Sequence, residues 1–380
     1  MRSCLVLFAL FIAAIAVATE NIECNIEGYK AYLSLWTEEQ TASSRNPESE
    51  EFQMRLEYFT ESCQKIKEFN TRNKYQMEFT YYADWSVDEF EALTNTVQRY
   101  SGIKPEILDL NPVFNNSNYR HLLPSLDPCD DVIEGGNTLR TVINKPQNCS
   151  VSWAFAVTNS IEYAIKKYYI DEFDLAIEVA LSAQELIDCV GKEHGVEDTC
   201  QGMRTVWGFD YAFENGIAFR QYYPQTNVAG ECKDIADEHK YHIAGYEKPH
   251  IYNKYGVFEL LKKGPVAVTL GLDPEYFQFY KNDSEDGSYF TNAYWRPSVY
   301  GVAIEYHQYE KNDSEVLAEL PYFAIETRLR ACDSMIFRLP IRESTADANI
   351  AGIAGFAIRP IVNEMLPSDI PTHPIQPTQQ

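Results

Sequence analysis

A change of hydrophobic period along the chain limits its fold more than any other feature. Phe52, Leu56, Phe59, Cys63 and Ile66 recur at steps of four and three. Val157, Ile161, Ala164, Ile165 and Tyr168 do the same over 153–169. Such spacing places one apolar stripe on each of two helices. Beyond residue 260 the pattern shortens. Gly264-Pro265-Val266-Ala267-Val268-Thr269-Leu270 is a β-branched run, and 300–306, 321–325 and 336–339 read as further strands. Helices in one half and strands in the other predict an α+β fold with segregated elements. At 380 residues the chain exceeds a usual domain of about 100 to 200, so more than one folding unit is expected.

Local signals sharpen this outline. Glu51 and Arg55 form a favourable i, i+4 pair on the charged face of the first helix. Ser182 with Glu185 makes a capping box for a helix running to Cys189. Pro105, Pro112, Pro124 and Pro128, with Asn115 to Asn118 between them, mark 101–130 as a linker. After Pro360, the prolines 367, 371, 374 and 377 predict an extended, mobile tail.

Residues 1–18 carry Arg2, an apolar run from Leu5 to Val17 and the small-residue site Ala16-Val17-Ala18, the pattern of a secretory signal. The run is too short for a membrane span of about 20 residues. Thirty-two basic against 56 acidic side chains give a net charge of −24, which argues against nucleic acid or an anionic membrane as partner. Nine cysteines and sequons at Asn115, Asn148, Asn282 and Asn312 fit an oxidising, secreted or lysosomal lumen. Nothing in the sequence calls for a metal or a cofactor.

Lys145 to Phe155, KPQNCSVSWAF, leads directly into the second helix. It resembles the run-up to the nucleophile in the papain and cathepsin family, with Ser152 standing where the catalytic thiol is expected. Upstream, Glu51, Arg55, Phe59, Ile66 and Asn70 match the spaced pattern of the cathepsin L-type inhibitory pro-region, and Asp84 to Phe90 resembles the segment that follows it. Glu78 and Thr80 depart from the Gly and Asn expected just before. Leu181 to Cys189, Cys200-Gln201-Gly202 and Tyr222-Tyr223-Pro224 extend the likeness. It thins after Tyr289. It implies a papain-like two-lobed fold preceded by a helical pro-domain: a signal over 1–18, a pro-region over 19–121, a peptidase-like domain over 122–360 and a Pro-rich tail over 361–380. By the same resemblance Cys149 pairs with Cys200 and Cys189 with Cys232, although four cysteines alone allow three pairings. Cys129 and Cys332 are left over near the ends of the domain, free to pair with each other.

The resemblance also places the catalytic set, and the residues found there are the wrong ones. Val299 to Tyr306 puts Tyr300 on the histidine, and Tyr322 to Arg330 puts Thr327 on the orienting asparagine. The oxyanion glutamine falls on Pro146, or on Gln147 after a one-residue deletion. A phenol with a pKa of about 10 stays protonated and is a poor general base. A serine depends on its base more than a thiol does. His307 lies an odd seven residues beyond Tyr300, which on a regular strand points it to the opposite face. Nothing places His242 or His250 near Ser152. Ser152 is expected instead to cap its helix.

These substitutions predict a chain without peptidase activity, a binder of peptides, protein substrates or cystatin-like inhibitors that carries its own pro-region. Two alternatives stand beside that reading: an active papain-family peptidase or a serine-variant hydrolase using Ser152 with a histidine recruited from elsewhere, in lysosomal or extracellular proteolysis, and a structural or storage glycoprotein, suggested by high acidity and 26 Tyr.

Overall fold

The computed structural model describes residues 22–35, 47, 49–73, 76–94, 117–123, 149–197, 199–226, 228–281, 299–307, 321–329, 334–341, 350–364 and 372–374. Expectations that fall on the signal, Cys129, Cys332, Pro146, Gln147 and the four sequon asparagines lie outside these residues.

Three helices open the chain: α1 (Ile26–Leu35), α2 (Glu50–Arg72) and α3 (Val87–Leu93). Ser49 caps α2 by accepting from the Phe52 amide, and Ser86 and Glu89 close a reciprocal capping box on α3. Phe52, Phe59, Cys63 and Ile66 are buried as their spacing predicts, packed against Tyr29 and Tyr32 of α1. The Cys24–Cys63 disulfide ties the start of the segment to α2. Arg55 differs from expectation. The pair with Glu51 forms at 2.9 Å, but Arg55 is 3% exposed and also makes two bonds to Glu89, at 2.7 and 2.8 Å, and one to the Asp84 carbonyl. A residue read as belonging to a solvated face is a buried tie between helices.

The helical lobe is built on α4 (Ser152–Phe173), followed by β2 (Leu175–Ile177), α5 (Ala183–Glu193) and α6 (Thr205–Glu214). Every residue of α4 from Ser152 to Lys166 is buried, so the single stripe read from the sequence is too narrow. A helix enclosed on all sides has no solvent face to alternate with. Ser182 accepts from the Glu185 amide as expected, but the Glu185 carboxylate is turned away, to the Ala218 amide, the Tyr211 hydroxyl and Lys240. Disulfides join Cys149 to Cys200 and Cys189 to Cys232.

The second lobe follows β3 (Ile217–Ala218), β4 (Lys240–Tyr241), β5 (Gly245–Glu247) and α7 (Lys254–Leu261). Its five-stranded antiparallel sheet contains β1 (Ser117–Asn118), β6 (Val266–Leu270), β7 (Val299–His307), β8 (Tyr322–Arg328) and β9 (Ser334–Pro340), with α8 (Pro274–Phe277) between β6 and β7. Strand β7 is central. It pairs with β8 on one edge, and on the other with β6 over Val299 to Ala303 and with β1 at Glu305 and Tyr306.

Strand β1 corrects the reading of 101–130 as an unpaired linker. Arg120 forms an ion pair with Glu305, and Leu122 is buried against Val302 and Ile304. The expected domain boundary at 121/122 therefore falls behind a strand of the second lobe. The tail is corrected as well. Strand β10 (Arg359–Ile361) pairs with β5, and β11 (Thr372–Pro374) pairs with β2, so the extended stretch is held by backbone hydrogen bonds.

Candidate active site

The position of the expected nucleophile is set from two directions. The Cys149–Cys200 disulfide and the Ser150 amide, which donates to the Cys200 carbonyl at 2.9 Å, fix the chain entering α4. Val151 then accepts from the amides of Ala154 and Phe155 and starts the helix. The N-cap is Val151, and Ser152 is already the first helical residue. Its hydroxyl is buried with no hydrogen-bond partner, so the expected capping role is overturned. The Ser150 hydroxyl and the Trp153 indole N–H nearby are unpartnered as well.

The lobes meet through β7. Tyr300 is fully buried in the cluster that holds Val151, Trp153 and Ala154, so the strand bearing the expected base does pack against the helix bearing the expected nucleophile. Thr327 is brought to Tyr300: its hydroxyl donates to the Tyr300 backbone carbonyl at 2.6 Å. This bond joins two strands and orients no side chain. The close approach of the strands depends on Gly301, where a Cβ would lie 2.5 Å from the Glu326 carbonyl oxygen.

The described histidines are engaged elsewhere or exposed. His194 stacks on Trp207, His239 on Tyr222, and His242 contacts Asp237 at 2.7 Å. His121 and His250 are exposed, and His373 lies on β11 opposite Ala176. His307 needs a correction. A register shift between Ala303 and Glu305 interrupts the alternation of β7, so Tyr306 joins Phe323 in one core, and His307 is set opposite Tyr322. Tyr322 packs with Val302 and Ile304, the neighbours of Tyr300 on its own face. His307 thus shares the face of Tyr300, because the bulge cancels the odd offset. Seven residues at about 3.3 Å each nevertheless put it roughly 20 Å along the strand.

One to three turns into α4, a polar cluster that sequence reasoning missed crosses to β8. The Asn159 amide donates to the Glu326 carboxylate at 3.1 and 3.3 Å, and Ser334 and Arg328 hold the same carboxylate. Glu162 is fully buried and accepts from the Leu181 amide at 2.7 Å. Burial pushes its carboxyl up to about 7, against the pull of that amide and of Arg220, Lys166 and Arg328. Burial likewise pushes the Tyr163 hydroxyl well above its ordinary range, with Glu326 adding to the effect, and that hydroxyl has no partner. Asn159, Ser160 and Glu162 within the apolar stretch from Trp153 to Ile165 were the visible signal. Among the described residues no group of three or more His, Cys, Asp or Glu could hold a metal ion, and no helix is long and apolar enough to cross a membrane.

The papain family cysteine protease domain matches residues 130–311, and the cathepsin propeptide inhibitor domain matches residues 41–90. Among curated relatives, cathepsin L 1 of Paramecium tetraurelia is 25% identical over 232 residues, 60% of this chain and 66% of that protein. Mexicain of Jacaratia mexicana is 29% identical over 154 residues, 40% of this chain and 67% of that one. The chain thus spans about two-thirds of the length of the curated relatives it matches. The solved proform of the ragweed pollen cysteine protease Amb a 11 superposes with a TM-score of 0.61 at 18% identity, covering 89% of this chain and 94% of that one. Procathepsin L 3 from Tenebrio molitor larval midgut gives 0.61 at 19%, covering 88% and 98%. Both likenesses establish the fold. With two ordered domain matches, the lobes meeting at Ser152 and Tyr300, and a helical segment ahead of them, this chain belongs to the papain family and carries a cathepsin-type propeptide domain.

Proposed function

We propose that this papain-family chain does not hydrolyse peptides and instead binds peptides, protein segments or cystatin-like inhibitors between its lobes, in a secreted or lysosomal lumen. The observation that carries this reading is the Ser152 hydroxyl, buried at the start of α4 without a single hydrogen-bond partner. A serine nucleophile requires a base within about 3 Å to take its proton, and none is hydrogen-bonded to it. The neighbouring positions support the same conclusion. Tyr300 is a buried phenol, and Thr327 spends its hydroxyl on a backbone carbonyl. An α4 helix of 22 residues directs its positive end at Ser152, which helps a thiolate but does little for a neutral hydroxyl.

The experiment is hydrolysis of a broad fluorogenic peptide set at acid pH by the full chain and by Ser152→Ala. No turnover above buffer is expected from either. Turnover abolished by Ser152→Ala would overturn the reading and make Ser152 a working nucleophile. The binding half is measured with a cystatin-like inhibitor by titration calorimetry; saturable heat is expected, and its absence counts against a binding cleft.

A further inference from the structure

We propose that the propeptide domain of this chain is a permanent part of the molecule, docked on the second lobe by a seam that acid does not open. The seam lies at α8 and the residues after it, 278–281. The Glu78 amide donates to the Phe279 carbonyl at 3.1 Å, and Met77 forms an antiparallel bridge with Tyr280. The Thr80 hydroxyl donates to the Gln278 carbonyl at 2.6 Å. The buried Gln278 side-chain amide returns two bonds, to the carbonyls of Tyr82 at 2.7 Å and Trp85 at 3.0 Å. All of these partners are neutral, so none changes its bonding capacity between neutral and acid pH.

The apolar half of the seam is a shared core rather than a contact of two finished surfaces. Tyr81, Tyr82, Trp85, Phe90 and Leu93 are buried in one cluster with Val268, Phe277 and Leu339 of the second lobe. In the other direction Phe279 is buried among Phe52, Phe59 and Ile66 of the propeptide domain. Separation would expose both sets to water at once, and the driving force against that is independent of pH.

Among the described residues, charged groups at the seam add little acid sensitivity: one ion pair crosses it, Lys65 to Glu275 at 3.0 Å, with side chains 32% and 57% exposed. Such exposed pairs contribute little. Asp273, beside Glu275 and near Lys65, caps α8, and burial raises its pKa. Glu78 bonds across the seam through its backbone amide, and Arg338 reaches Tyr280 through its own amide. Among the described residues the other acid-sensitive bonds near the seam lie inside the propeptide domain: Arg55 to Glu51 and Glu89, and the Tyr29 hydroxyl to Asp84. There the Cys24–Cys63 disulfide braces the fold independently of pH. The proposal concerns docking alone, so it stands or falls separately from the activity of Ser152.

The test inserts a recognition sequence for a site-specific protease between residues 95 and 116 of the full chain, cuts it, and runs gel filtration at about pH 7 and about pH 4 with circular dichroism alongside. The two pieces are expected to co-elute at both, with less than about a twofold change in the bound fraction, and Glu275→Gln and Lys65→Met should leave this unchanged. Thr80→Val and Gln278→Ala should each weaken the complex by about tenfold, equally at both pH values. Separation of the cut wild-type pieces at acid pH only, or separation caused by Lys65→Met, overturns the proposal. If Gln278→Ala fails to fold, the cut wild-type and Glu275→Gln chains still decide it.

Discussion

Glu162 is the residue whose environment most directly sets a pH response. Its folded-state pKa is raised to about 7 by burial, against an ordinary 4.5. Below the unfolded pKa both states hold the proton and nothing is lost. As pH rises toward about 7 the unfolded chain has released it while the folded one retains it, so stability falls, by about 3 kcal/mol in all. Glu162→Gln keeps an oxygen for the Leu181 amide and should flatten that decline, measured by urea unfolding at pH values on either side of the window. An unchanged slope would show that the carboxyl is not the titrating group. Arg55 is the opposite kind of residue. Burial alone would lower its pKa, but the bonds to Glu89 and Glu51 outweigh burial and raise it, so it stays charged. Arg55→Ala strands Glu89 without its bidentate partner and should cost about 3 to 5 kcal/mol of propeptide-domain stability. A midpoint shift in denaturant worth under 1 kcal/mol would contradict the buried-tie account.

Among the elements, the tail strand deserves comparison with the helices, because composition alone misjudges it. Four prolines after 360 argue for an extended chain, and extended it is. Two tyrosines near the end of α4, Tyr168 and Tyr169, hold Glu364 at 2.8 and 3.0 Å, and β11 then pairs with β2. Truncation after Glu364 should leave the β2 edge unpaired and speed amide exchange at Leu175 to Ile177 by about tenfold or more. Equal exchange rates with and without the tail would show that β11 adds no protection. The helices themselves were legible wherever one face is solvated, as in α2, where Phe52, Phe59, Cys63 and Ile66 lie where their spacing puts them. In α4 the helix itself was legible but its facing was not, since a helix buried throughout its first 15 residues packs partners beyond the single stripe its spacing suggests.

At the scale of the whole molecule, the fold class could be read in the chain. Segregated periods, Trp153-Ala154-Phe155 after Cys149, and the spaced propeptide pattern suffice to name an α+β, two-lobed architecture with a helical domain ahead of it. That Ser152, Tyr300 and Thr327 stand at catalytic positions rests on motif spacing and is part of the proposed function; the structure adds that the Thr327 hydroxyl is bonded to the Tyr300 backbone carbonyl. What only the tertiary structure decided depends on contacts between distant residues. The register shift in β7 returns His307 to the face of Tyr300, Gln278 joins the propeptide domain to the second lobe, and Asn159 meets Glu326 across 167 positions. Local pattern records which way a residue points relative to its own neighbours. Which distant partner it meets, and what that burial does to its charge, is set by the packing of whole lobes against one another.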